Sequence, residues 1–366
     1  MSTNNSLNKK LVLLTLEKHK NGIWITRLEH ELTQTITAGK NLDISVEVVC
    51  LEFLLSAFHL GGANRRPEFL EGWIGIVNRV SDAADPVLYK ACLAVLNAAK
   101  AFSIVIFNGP EAYAMCGNKW LHHLLFHKAG LDTPPDSFGL FRADKEAFHQ
   151  ASGYVNRDFP HLIKPNSGGF GAGMVRVEND GQLLGLTTEL IESSFKDEMV
   201  VYQPYMRPLE GKIYRIWFLQ GRVQCGVVRK IADSDADSEF VNGCAAAGTC
   251  RIDSKTSKVK KEKGLVTFEA FNIPADIVYD IEKKLLPSLP KDTDAGSVEF
   301  LNYLDDNCVD MGNASKRFYF DLNLLSTLPI IDLVSNEKEI WRNDYNPWRD
   351  LSDAIFYKIL SNEASY

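Results

Sequence analysis

The chain has 366 residues, 45% hydrophobic and 24% charged, the composition of an ordinary globular protein with length for two or three domains. A net charge of −7 argues against a general binder of nucleic acid or anionic membranes, which would be basic. Seven cysteines without a Cys-x-x-Cys pair favour reduced thiols and a cytoplasmic location. No window approaches a membrane span, and the apolar run Leu11–Leu16 behind Lys9-Lys10 is too short for a signal peptide.

Leu11–Leu16, Ile44–Leu51, Trp73–Asn78 and Phe102–Phe107 read as strands, with helical patterns between them, clearest over Asp85–Ala101. Such alternation implies a parallel, layered α/β unit. Arg79 stands at the end of one of these strands, where ligands of open parallel sheets collect. It is a candidate for a substrate carboxylate, and a surface salt bridge accounts for it equally well. Asn108-Gly-Pro-Glu111 opens another helix, with proline in the first turn and an early acid matching the helix dipole. That helix is expected to run to about Lys128 and to stop at Gly130, before Pro134-Pro135. The main boundary falls near residue 110. From Phe159 onward long strands joined by hairpins are expected, with a helix near Ala275–Leu286 and a Trp-containing helical tail over Asn336–Ser361.

His161–Val177 reads as a strand ending in Lys164, a loop with glycines at 168, 169, 171 and 173, and a second strand. Glycines let backbone N–H groups approach a polyanion, and the lysine adds a point charge. The Gly-Lys-Ser/Thr of a P-loop is missing, and so is the helix that follows a dinucleotide-binding turn. The pattern suggests a flap over nucleotide phosphates; a tight hairpin with turn glycines is the alternative. In Tyr319-Phe-Asp-Leu-Asn323, strand alternation would place Asp321 and Asn323 beside Tyr319, with Phe318, Phe320 and Leu322 in the core. With Glu299 on the preceding strand, these hard oxygen donors suit Mg²⁺, and a buried salt bridge is the alternative. His123 and His127 share a helix face without the Glu of a zinc helix, and read as structural.

Four blocks in order make the chain resemble the ATP-grasp superfamily of carboxylate–amine ligases. They are Asn108–Pro134 with Lys119, the Lys164 glycine loop, Val200-Val-Tyr-Gln-Pro-Tyr-Met206, and Gly296-Ser-Val-Glu299 with Tyr319–Asn323. The resemblance implies an α/β fold of α+β elements: a parallel α/β domain over 1–110, ATP-clasping subdomains over 111–200 and 201–345, and a helical tail over 346–366. It implies that Lys119, Lys164, Ser167, Gly168, Gly169, Phe170 and Gly171 meet the phosphates of ATP. Gln203, Pro204, Tyr205 and Met206 would receive adenine. The family's acidic ribose ligand is replaced here by Ile213, and Glu210 is a substitute for it. Glu299, Asp321 and Asn323 would hold Mg²⁺, or Mn²⁺ in its place, while Arg215 and Arg229 would serve as catalytic cations and Asn242 lie on a closing loop; for the two arginines, structural ion pairs are the alternative. The implied reaction activates a carboxylate as an acyl phosphate and couples it to an amine, with an amino acid or peptide as partner, and a homodimer is ordinary for the family. The rival readings are an ATP-grasp kinase of a small molecule and a non-catalytic ATP-binding regulator.

Overall fold

The computed structural model describes residues 9–39, 43–56, 68–80, 85–134, 137–141, 160–167, 175–179, 182, 199–230, 268–304, 315–325, 328–329, 334–341 and 345–363. In β1 (Lys9–Thr15), Leu11, Val12, Leu13 and Leu14 are all buried, as a strand covered on both faces requires. It pairs in parallel with β2 (Ile44–Cys50) and β3 (Trp73–Asn78), and β3 pairs in parallel with β4 (Val105–Phe107), in the order β2-β1-β3-β4. Helix α1 (Ile23–Ala38) packs Leu28, Leu32 and Ile36 on one face of this sheet. A short α2 (Leu51–Ser56) and α3 (Pro86–Ala101) close the other, α3 through Cys92, Val95, Leu96 and Ala99. Asp85 caps α3 by accepting from the N–H groups of Val87 and Leu88. The strand expected from Phe102 begins only at Val105, because Phe102 caps the end of α3 and Ser103 turns the chain at φ 58°.

The single helix expected after Asn108 is two, α4 (Pro110–Cys116) and α5 (Lys119–Lys128). Gly117 ends the first, and Asn118, in extended conformation, caps the second by accepting from the Leu121 N–H. An antiparallel sheet follows, with β5 (Phe138–Phe141), β6 (His161–Pro165), β7 (Val175–Val177) and β8 (Met199–Pro204) in the order β5-β8-β6-β7. The third sheet contains β9 (Lys212–Leu219), β10 (Arg222–Lys230), β11 (Phe268–Ala270), β12 (Ala295–Leu304), β13 (Ser315–Asn323) and β14 (Val334–Ser335), ordered β13-β12-β9-β10-β11-β14. Helix α6 (Ala275–Tyr279) continues as a π-helical turn over Asp280–Leu285, and packs Ile277, Ile281 and Leu285 against one face of this sheet.

The C-terminal segment is also interrupted, into α7 (Glu337–Ile340) and α8 (Pro347–Glu363). Helix α8 returns to the first sheet, where Trp348, Ile355 and Ile359 pack with Leu11, Leu13 and Val77, and Trp348 stacks on Trp24 at 5.6 Å. A polar latch joins the first and third sheets. Asn108, at φ 57°, accepts from the N–H groups of Asp294 (2.9 Å) and Ala295 (3.0 Å), and its amide donates to the carbonyls of Ala295 and Leu324. Asp292 accepts from the first N–H groups of α4, and Lys358 pairs with Asp294 at 2.7 Å. Among the described residues no helix is long and apolar enough to cross a membrane.

Candidate active site

Strand pairing alone brings the expected charged residues together. Across β10, β9, β12 and β13, one row reads Arg229, Ile213, Leu301, Phe318; the next reads Val227, Arg215, Glu299, Asp321; the third reads Cys225, Trp217, Ser297, Asn323. Since side chains alternate along a strand, these rows share one face of the sheet. The opposite face carries Tyr214, Ile216, Val298, Phe300, Tyr319 and Leu322 in the core with α6. Tyr319 is therefore not beside Asp321, and Phe318 and Phe320 are not packed with Leu322, contrary to regular alternation. Asp321 pairs with Glu299 but Tyr319 pairs with Phe300, leaving Phe320 as an extra residue. This β-bulge exchanges the faces on its two sides. Phe318 and Phe320 thereby join Leu162, Ile213 and Leu301 in an apolar surface flanked by Tyr205 and Met206.

Lys119 and Lys164, 45 positions apart in sequence, meet through Asn166. The Asn166 carbonyl accepts from the Lys119 N–H at 2.9 Å, and its side chain accepts from the Trp120 N–H at 2.8 Å. The Lys119 ammonium donates to the Ser167 carbonyl at 3.4 Å. Lys164 is 7% exposed and its ammonium lies 5.4 Å from the centre of the Phe320 ring. Strand pairing sets Leu162 opposite Gln203 and Lys164 opposite Val201, so Gln203 shares the Lys164 face. Strand β8 ends at Pro204, and Tyr205 leaves it by donating its N–H to the Pro160 carbonyl at 2.9 Å. The buried His123 lies on α5 near Lys164; burial, then the charge of Lys164, pushes its pKa down to about 3, so its ring is neutral.

Burial opposes ionisation of Asp321, but the polar contact with His122 and the charges of Lys119 and Lys164 outweigh it. Its carboxyl is held well below the usual carboxylate range. Glu299 accepts from Arg215 through Nε at 2.6 Å and through a terminal guanidinium nitrogen, which fixes both at the centre of the charged row. Asn323 accepts from the Cys116 thiol at 3.7 Å and from the Leu325 N–H at 3.0 Å. Arg79 borders a crevice with Asn78, Trp217, Gln224, Leu324 and Asp350, and burial lowers its pKa to about 10. Glu210 is exposed, at φ 54°, and ion-paired with Lys212. Ile213 is packed in the apolar surface, where it offers no polar atom to a ribose. Gly168, Gly169, Phe170, Gly171 and Asn242 lie outside the described residues.

The donor set fits Mg²⁺: Glu299, Asp321 and Asn323 offer oxygen donors on one sheet face, and one carboxylate is strongly biased to its anion. No group of three or more His, Cys, Asp or Glu among the described residues could hold a metal by itself. Substrate oxygens would have to complete the shell, which is how Mg²⁺ is held on nucleotide phosphates.

No family model matches the sequence. The structure matches the ATP-grasp ligase PsnB complexed with minimal precursor at a TM-score of 0.59 and 14% identity, over 96% of this chain and 100% of that one. The chain has the ATP-grasp fold. The D-alanine–D-alanine ligase of Bacillus anthracis matches at a TM-score of 0.57 and 14% identity, over 98% of this chain and all of that one. The D-cycloserine synthetase DcsG matches at 0.57 and 12% identity, over 96% and 99%. At these identities the likeness is one of fold, and it extends over nearly the whole ATP-grasp chain.

Three residues at this site escape a reading of the sequence. Asn166 joins the two lysines through contacts that no local pattern announces. Arg176, opposite Leu162 on β7, lies 4.4 Å over the Tyr205 ring and 2.7 Å from Glu178. His122 lies 3.5 Å from Asp321. The helix pattern marks His122 only as apolar-facing, and its partner is 199 positions away.

Proposed function

We propose that this protein is an ATP- and Mg²⁺-dependent ligase that joins a carboxylate to an amine through an acyl phosphate, with an amino acid or peptide as one substrate. What supports the reading is a single arrangement: Arg215, Glu299, Asp321 and Asn323 on one sheet face, with the clustered Lys119 and Lys164 close enough to Asp321 to stabilise its charge. The working units are an N-terminal domain to residue 110, subdomains over 111–200 and 201–345, and the tail from 346.

Adenine lies on the apolar surface of Leu162, Ile213, Leu301 and Phe318, with Pro204, Tyr205 and Met206 at its edge and Gln203 beside it. Lys119 and Lys164 neutralise the phosphates, and Ser167, Gly168, Gly169, Phe170 and Gly171 cover them. Glu299, Asp321 and Asn323 hold Mg²⁺, which when bound draws charge from the phosphate oxygens. Arg79 receives the substrate carboxylate at the carboxyl ends of the parallel strands. The carboxylate attacks the γ-phosphate and ADP leaves; the amine then attacks the acyl carbon and releases phosphate. Arg215 and Arg229 meet the charge that develops on the phosphoryl group and on the tetrahedral intermediate. Asn242 contributes from the closing loop, and Glu210 reaches the ribose once it exchanges its Lys212 partner.

The test is ADP release from Mg-ATP with pooled amino acids, dipeptides and small carboxylates, with mass spectrometry of the products. ADP release needing two components, and a product lighter by one water than their sum, is the expected result. A phosphorylated single component would replace the ligase with a kinase. ATP binding without turnover of any pool would favour a nucleotide-binding regulator.

A further inference from the structure

His122 is a buried polar side chain beside the acidic row that the proposed reaction does not use. It is 1% exposed, in the first turn of α5. Its Nε2 lies 3.0 Å from the Met115 carbonyl oxygen, which can only accept, so Nε2 carries the proton. Its Nδ1 accepts from the Leu322 N–H at 3.4 Å and lies 3.5 Å from Oδ1 of Asp321. The ring thus touches the end of α4, the backbone of β13 next to the bulge, and the Asp321 carboxylate.

Each contact has a physical reason. Strand β13 is at the edge of its sheet, so an outward N–H has no strand to pair with, and His122 takes that of Leu322. The bulge at Phe320 interrupts the ladder beside Asp321, where a regular strand would otherwise set the side chain's direction. The Asp321 side chain is 31% exposed and that of His122 is 2% exposed. The carboxylate therefore has a fixed, buried ring on one side and solvent on the other.

The geometry points to His122 as a positioning residue for Asp321: anchored to α4 through Nε2, it holds the bulged strand by accepting from the Leu322 N–H, one residue beyond Asp321, and its ring walls the carboxylate on the α5 side. This rests on the reading of Asp321 as a metal ligand. Carboxylates that bind metals are themselves held by outer contacts, and losing such a contact typically costs about 10–100-fold in metal affinity.

The test uses Mn²⁺ as the probe, titrated into the full chain saturated with ADP and followed by electron spin resonance. His122→Leu removes the polar atoms at similar bulk, and His122→Gln keeps a donor and an acceptor. Each is made alone and on Asp321→Asn. His122→Leu should weaken Mn²⁺ binding about tenfold or more while ADP affinity in excess chelator stays the same. His122→Gln should recover part of the loss, and neither change should weaken Mn²⁺ further on Asp321→Asn. Unchanged Mn²⁺ affinity in the folded variants, or a loss that persists in full on Asp321→Asn, would overturn the role. If His122→Leu does not fold, His122→Gln and its double variant decide by the same criteria. Equal Mn²⁺ affinity in the parent chain and in Asp321→Asn would instead remove the metal assignment, and the positioning role with it.

Discussion

The two faces of the six-stranded sheet are built from the same strands and do opposite work. On one, Tyr214 and Phe300 stack at 4.8 Å, and Ile216, Val298 and Leu322 pack with Ile277 and Ile281 of the covering helix. Most partners there are apolar, and the Tyr319 hydroxyl is satisfied by Asp280, so burial is favourable without any ligand. On the other, Arg215, Glu299 and Asp321 stand side by side, and Lys164 approaches Asp321 from the second sheet. Charges cost free energy to desolvate, and this face offsets the cost with the Arg215–Glu299 ion pair and with the charges of Lys119 and Lys164 around Asp321. Strand alternation separates an apolar face from a charged one within the same few residues, and one bulge decides where they exchange.

Breaking each face in turn should give opposite phenotypes. Asp321→Asn should lower ADP release about 1000-fold or more, beyond the 10–100-fold expected for an outer contact, with an unchanged circular dichroism spectrum. Full activity would remove Asp321 from the metal site. Phe300→Ala on the core face should cost about 3–5 kcal/mol in chemical denaturation while nucleotide affinity of the folded protein persists. A loss of affinity without a loss of stability would mean that the two faces are not separate. Lys164→Ala should weaken ATP binding about 10- to 100-fold, the worth of a hydrogen bond to a charged group, as read by calorimetry. Unchanged affinity would sink its phosphate role.

The smallest effect sharpens the comparison through pH. His123 has a folded pKa of about 3, against an unfolded value of about 6.5. Between those values the unfolded chain binds a proton that the folded ring refuses, so stability rises with pH across that window and levels off above it. Denaturation midpoints from pH 7 to pH 5 should fall with a His123 contribution on the order of 1 kcal/mol per pH unit. His123→Gln should flatten that part of the slope, and an unaltered slope would assign it to other groups.

Strands announced by short apolar runs were legible from composition and length, as in Leu11–Leu14 and Trp73–Asn78. The grouping of Arg215, Glu299, Asp321 and Asn323 was legible only through the family resemblance, since a strand read alone does not name its neighbours. The break at Gly117-Asn118 carried an ordinary local cue, a glycine followed by a capping residue, yet the apolar pattern on both sides concealed it. The facing of Tyr319 was not legible, because an unpaired Phe320 is a property of two strands and not of one.

The sequence by itself determined most of the strands and helices, though not the breaks within two of the helices, together with the residue types able to bind phosphate and metal and the order in which they occur. These depend on side-chain period and chemistry within a few residues. Only the tertiary structure decided which face Asp321 occupies, that Asn166 brings Lys119 to Lys164, that α8 folds back on the first sheet, and that His122 touches Asp321. Those outcomes depend on pairing between segments tens to hundreds of residues apart, where contact is settled by packing of whole elements and leaves no trace in local pattern.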